Sequence, residues 1–205
     1  NSKDALEKNM AKNRELLAQL EAKGKALADE QARLDKTANR LKELEDMIAA
    51  KEEAMRKLKE TLSKALTGFE GKGLTVEHKN GKVYVSMENK LLFGSGSWSV
   101  GAEGRRAVVE VGKVLGVNPD ISVLIEGHTD NVPYGGTGQI TDNWDLSTKR
   151  ATAIVNILAE NKAIDKKNLT AAGRGEYAPL ASNETAEGKA KNRRIEIIGF
   201  LVFSL

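Results

Sequence analysis

The chain reads as an α+β protein, a layered mixed β-sheet with helices packed on one face, preceded by a long α-helical arm. Three observations predict this. The first 68 residues carry 15 Lys or Arg and 13 Asp or Glu with no proline and no aromatic, the composition of a long solvated helix. All three prolines and all the aromatics come later, so the compact core and its turns belong to the remainder. There, segments that alternate apolar and polar residues are interleaved with segments of helical spacing. The change of composition falls near Gly68 to Gly73, giving an arm over 1–68 and a folded domain over 69–205.

Within the arm, every seventh residue from Leu6 gives Leu6, Asn13, Leu20, Leu27, Leu34, Leu41, Ile48, Met55 and Leu62, a column broken only at Asn13 that fits a heptad seam. The companion position is less regular. Met10 and Leu17 flank the column early, and Leu44, Leu58 and Ala65 flank it on the other side later. Gly24, Gln31, Glu45 and Glu52 stand where a strong two-stranded core needs apolar residues. Two readings stay open: a coiled-coil homodimer, or a single charged helix docked by one stripe. At 1.5 Å rise per residue, about 60 residues extend roughly 90 Å, so the arm serves as a spacer in either case.

The folded part begins with Leu74 to His78 and Lys82 to Ser86, which alternate across Asn80-Gly81, the pair favoured in tight hairpin turns. Glu103 to Leu115 places Ala107, Val108, Val111, Val114 and Leu115 at helical spacing and stops at Gly116. After the Asn118-Pro119-Asp120 turn, Ile121 to Ile125 is a short β-branched strand. Leu146 to Glu160 is a second amphipathic helix with Ile154, Val155, Ile157 and Leu158 on its inner face, and Leu169 to Ala172 and Arg194 to Val202 supply further strands.

Several function classes start at a disadvantage. The formal net charge of +3 is spread along the chain, with no concentrated field for nucleic acid. No cysteine is present, so disulfides and thiolate metal sites are excluded. The longest apolar run, Ile197 to Leu205, is too short for a spanning helix of about 20 residues and reads as a final strand. The start at Asn1-Ser2-Lys3 reads as a processed or truncated end, with membrane attachment through a segment outside this chain.

The chemistry concentrates at Ile125 to Asn131 and at Asn143 to Arg150, where a strand ends and a helix begins. Asp130 follows the carboxyl end of the Ile121 strand, where open sheets commonly bind ligands, and Arg150 lies in the following helix. An acceptor anion and a forked donor a few ångströms apart suit a ligand with an ammonium and a carboxylate on one carbon. Asp145 or Asn143 is the expected cap of that helix.

These residues also carry a resemblance. Gly127-His128-Thr129-Asp130, then Asn143 through Leu146-Ser147 to Arg150-Ala151, then Asn192-Arg193-Arg194, in that order, resemble the signature of the OmpA C-terminal domain family, which includes peptidoglycan-associated lipoproteins and flagellar stator proteins of the MotB type. The resemblance spans roughly Lys82 to Phe200. It implies an OmpA-like fold and noncatalytic binding of peptidoglycan through the diaminopimelate residue of the stem peptide. The family's roles then fall on Asp130 and Arg150 as the ligand-holding pair, with Thr129, Asn143 and Leu146 lining the pocket and Asn192, Arg193 and Arg194 in the closing motif. It further implies a cell-envelope protein or lipoprotein of a Gram-negative-type bacterium, periplasmic and outer-membrane associated, with no cofactor. The alternative is a wall-anchored subunit of a membrane machine such as a stator. Phe93-Gly94-Ser95-Gly96-Ser97 and Trp144 lie closer to the stator-type pattern, and they leave one ligand contact of other relatives unmatched.

Other chemistries are weighed against these residues. His128, Asp130 and Ser147 would make a hydrolase-like set, but no Gly-X-Ser-X-Gly elbow surrounds Ser147, and no enzyme activity is expected. Glu126, His128 and Asp130 are a weak metal set, because His78 is the only other histidine, and no bound metal is expected. Gly173-Arg174-Gly175-Glu176 reads as a turn rather than a phosphate loop, and Asn183 to Gly188 as a polar loop leading to the closing motif.

Overall fold

The structure is a computed structural model that describes residues 2–136, 138 and 140–202. Its first element, α1 (Ser2–Ala65), is an unbroken helix, and the chain divides into one compact unit up to Ala50 and a second from Lys51 onward. In the first unit the apolar column is exposed, from Leu6 through Leu20, Leu27, Leu34 and Leu41 to Ile48. Ion pairs one turn apart, such as Arg33 with Glu30 at 3.2 Å and Arg40 with Glu43 at 3.1 Å, support this helical surface.

The second unit contains a five-stranded sheet. Its strands are β1 (Leu74–Lys79), β2 (Lys82–Glu88), β3 (Ile121–His128), β4 (Leu169–Gly173) and β5 (Arg194–Leu201), in the order β1-β2-β5-β3-β4. Only β3 and β4 are parallel. The expected hairpin turn is present, with Asn80 at φ 52° and Gly81 at φ 68°, the doubled positive φ that its tight geometry requires. The helices are α2 (Asn89–Leu92), α3 (Ala102–Gly116), α4 (Asn143–Leu158) and α5 (Ala186–Asn192). The expected α+β class holds. The final strand ends at Leu201, and the expected continuation through residues 203–205 lies outside the described residues.

Strand alternation sends Val83, Val85 and Met87 of β2, Val123 and Ile125 of β3, and Ile195 and Ile197 of β5 into one core with Ala107, Val108 and Val111 of α3 and Ile154 and Leu158 of α4. Met55, Leu58 and Leu62 from the last turns of α1, with Leu66 beyond them, are buried in the same core. A boundary at 68/69 therefore marks where the helix has ended, whereas the packing unit starts at Lys51. The lower end of the heptad column faces this core.

Asn183 to Gly188, expected as a polar loop, instead leads into α5, whose cap Thr185 accepts a hydrogen bond from the Gly188 N–H at 3.0 Å. Among the described residues no helix is long and apolar enough to cross a membrane.

Candidate functional site

The site is built where β3 stops and α4 starts. A Cβ on Gly127 would lie 2.0 Å from the Ser147 carbonyl oxygen, and one on Gly173 would lie 2.1 Å from Thr148 Oγ1. Two adjacent strands thus lack side chains where the first turns of α4 cross them, and the helix seats directly on the sheet. Its cap is Asp142, whose carboxylate accepts from the Asp145 N–H at 2.9 Å, rather than the expected Asp145 or Asn143. Asp145 is occupied one residue further back, accepting from the Thr141 N–H at 2.9 Å and from Thr141 Oγ1 at 2.6 Å. These bonds hold its carboxyl below the usual range.

Beside this junction lies a cleft of about 770 Å³. It is lined by Thr129, Asp130, Asn143, Leu146, Arg150 and Arg193, six of the eight residues expected from the sequence. Thr129 is fixed from both sides, its N–H donating to the Gly175 carbonyl at 2.8 Å and its hydroxyl to the Asp130 carbonyl at 2.9 Å. Asp130 is buried; its Oδ1 accepts from the Val132 N–H at 3.0 Å and its Oδ2 from Arg193 Nη1. Asn143 Nδ2 donates to the Val132 carbonyl at 3.0 Å and to Glu176 Oε2 at 2.8 Å, tying the cleft wall to the Arg174 to Tyr177 turn.

Arg150 is 4% exposed, its guanidinium 5.1 Å from the Phe93 ring centroid and its Nε donating to the Ser97 carbonyl at 2.9 Å. Burial pushes its pKa down to about 10, with Arg193 acting in the same direction and Tyr134 and Asp130 opposing. The cleft thus presents a carboxylate and two guanidiniums from three separate chain segments, on a floor that includes the apolar Leu146.

Asn192 and Arg194, expected at the ligand on the strength of the closing motif, do not line the cleft. Asn192 is fully buried and acts as a clamp: its Oδ1 accepts from Leu180 N–H at 2.7 Å and Ala181 N–H at 3.0 Å. Its Nδ2 donates to the Ala181 carbonyl at 2.9 Å and to Asn183 Oδ1 at 2.8 Å. Arg194 lies in β5 and donates to Glu196 Oε1 at 2.8 Å and to the Asn192 and Ala178 carbonyls. The reason is alternation at a strand start, where consecutive side chains leave on different sides. Of the motif, Arg193 alone reaches the cleft. Conversely, Glu88, Lys90, Phe93 and Tyr134 also line it without having been singled out as ligand contacts. A signal was available for Phe93, which stands beside the stator-type Gly94-Ser95-Gly96-Ser97 segment.

His128, Asp130 and Ser147 are not linked as a proton relay. Ser147 Oγ donates to the Trp144 carbonyl at 3.0 Å and accepts from the Gly175 N–H at 3.1 Å. His128 faces Glu126 and Glu196 instead, and burial, reinforced by Arg194, pushes its pKa down to about 4.

Comparison with known proteins identifies relatives of this chain. The OmpA family model matches residues 92–193. Motility protein B of Bacillus subtilis is 39% identical over 114 residues, 56% of this chain and 43% of that protein. The putative lipoprotein YfiB of Escherichia coli is 30% identical over 114 residues, covering 56% of this chain and 68% of the relative. The solved structure of the cell wall anchor of the T6SS from Pseudomonas aeruginosa is 32% identical with a TM-score of 0.62, covering 69% of this chain and 97% of that one. The chain spans about half the length of the first curated relatives it matches.

Proposed function

The chain belongs to the OmpA family, and on that premise we propose that it binds peptidoglycan without catalysis, holding the diaminopimelate-containing stem peptide in the cleft beside Asp130. The observation that carries this reading is a buried carboxylate and a buried guanidinium, Asp130 and Arg150, in the wall of one cleft at the carboxyl end of β3. A carboxylate offers about four lone-pair sites, so Asp130 can accept an ammonium in addition to Val132 N–H and Arg193. The forked guanidiniums of Arg150 and Arg193 suit the ligand's carboxylates.

In this reading residues 69–205 carry the wall-binding cleft, the last turns of α1 from Lys51 onward complete its core, and the helix before Lys51 is a spacer toward a membrane attachment, in the envelope of a Gram-negative-type bacterium. The exposed apolar column of the first unit offers a seam for a homodimer.

The test is co-sedimentation of the chain with purified sacculi. Asp130→Asn and Arg150→Lys, each checked for folding by circular dichroism, are expected to lose retention; two folded variants that bind like the parent would overturn the assignment. A second reading, a wall-anchored subunit of a stator-type machine, is favoured by the identity to Motility protein B. An upstream hydrophobic span of about 20 residues would select it over a lipid-anchored tether.

A further inference from the structure

The helix-free face of the sheet holds a second cluster, separate from the cleft. Glu126 and His128 project from β3 on this face, and Glu196 stands directly opposite Glu126 on β5. His128 is 2% exposed, and neither of its ring nitrogens has a hydrogen-bond partner. Its Nε2 lies 3.4 Å from Glu126 Oε2 and 3.8 Å from Glu196 Oε2, and the three potential ligand atoms all lie within 4.8 Å of one another. We infer that Glu126, His128 and Glu196 form a binding site for a divalent cation of the zinc type.

Three physical points support this. An unpartnered buried imidazole costs about 1–3 kcal/mol per orphaned group, and two like charges directly opposite across strands destabilise a sheet. A divalent cation would satisfy Nε2 and add to the positive charge that Arg194 already sets against Glu196. Bond lengths of about 2.0–2.2 Å to nitrogen and oxygen at a tetrahedral angle put ligand atoms about 3.3–3.5 Å apart, close to the separations from Nε2. Finally, one of the carboxylates already has an outer partner that orients it. Arg194 Nε donates to Glu196 Oε1 at 2.8 Å, orienting that carboxylate and leaving Oε2 toward His128. A cavity of about 220 Å³, whose lining includes Tyr84, Ser86, Lys79 and Glu196, meets the cluster at Glu196. One imidazole with two carboxylates suits zinc better than magnesium or calcium, which favour all-oxygen sets.

The sequence-based expectation of no metal used Asp130 as the third ligand. The structure sends Asp130 to the cleft and replaces it with Glu196, brought in by the β3–β5 register.

The experiment is isothermal titration of the chelator-treated full chain with zinc chloride, with magnesium chloride in parallel. Saturable binding of one zinc per chain is expected, weakened at least about tenfold in Glu126→Gln and unchanged in His78→Gln, with no magnesium binding in the same range. Absence of one-to-one binding, or wild-type binding by Glu126→Gln, overturns the inference. Should Glu126→Gln fail to fold, zinc-edge X-ray absorption of the parent chain decides: a shell with one imidazole supports the site, and a shell with none or two overturns it.

Discussion

Replacing Asn192 by alanine separates the two roles folded into the Asn192-Arg193-Arg194 motif. The Asn192 side chain makes four hydrogen bonds, to the Leu180 and Ala181 N–H groups, the Ala181 carbonyl and Asn183 Oδ1. At about 1 kcal/mol for each bond, the loss is about 3–4 kcal/mol, part of it softened because Leu180 and Ala181 can recruit water. For a unit of this size about 2–4 °C is lost per kcal/mol, so the midpoint should fall by roughly 10 °C. Thermal unfolding followed by tryptophan fluorescence reports on Trp98 and Trp144, both in the unit from Lys51 onward rather than in the helix before it. Asn192→Asp should be no better. It keeps the acceptor for the two N–H groups but turns a carboxylate toward the Ala181 carbonyl and Asn183 Oδ1. Arg193→Gln takes the charged partner from the buried Asp130 but is itself 40% exposed, so its midpoint should fall by less than that of Asn192→Ala while retention on sacculi weakens. A chain with Asn192→Ala that melts like the parent yet no longer binds would refute the clamp and return Asn192 to the ligand.

Two further outcomes follow from packing. A fragment beginning at Lys51 should melt cooperatively, whereas one beginning at residue 69 lacks Met55, Leu58, Leu62 and Leu66, at about 1.5–3 kcal/mol per buried side chain, and should be unfolded or expanded by sedimentation and dye binding. Gly127→Ala forces a methyl carbon against the Ser147 carbonyl; a loss of about 1–3 kcal/mol or more, with reduced sacculus retention as α4 shifts Arg150, is expected from paired melting and binding measurements, and an unchanged midpoint would show that the helix does not sit as close as described.

Much of the fold was legible because its signals are local. Asn80-Gly81 names its own turn, and the spacing of Val108, Val111 and Leu115 names its own helix. What escaped was set by partners distant in sequence. The column through Met55 and Leu62 continues the heptad pattern, and although its companions change flank at Leu44, Leu58 and Ala65, that shift does not say whether a sheet or a second helix covers them. The seven-residue α5 is too short and too polar for any apolar period to appear. At the cleft, Asp130 and Arg150 were readable from ordered motifs, but adjacent motif residues look alike on paper, and only the start of β5 decides that Arg193 turns to the cleft while Asn192 and Arg194 turn away. Glu196 joins His128 through a strand register that links residues far apart in sequence, which no short window contains.

The strand order also sets a clock. β5, the last of the described strands, lies in the middle of the sheet and pairs with both β2 and β3. Without β5, β2 and β3 have no common neighbour in the sheet. Completion of the sheet therefore waits on β5, and a chain cut before it loses the join between both halves rather than an edge.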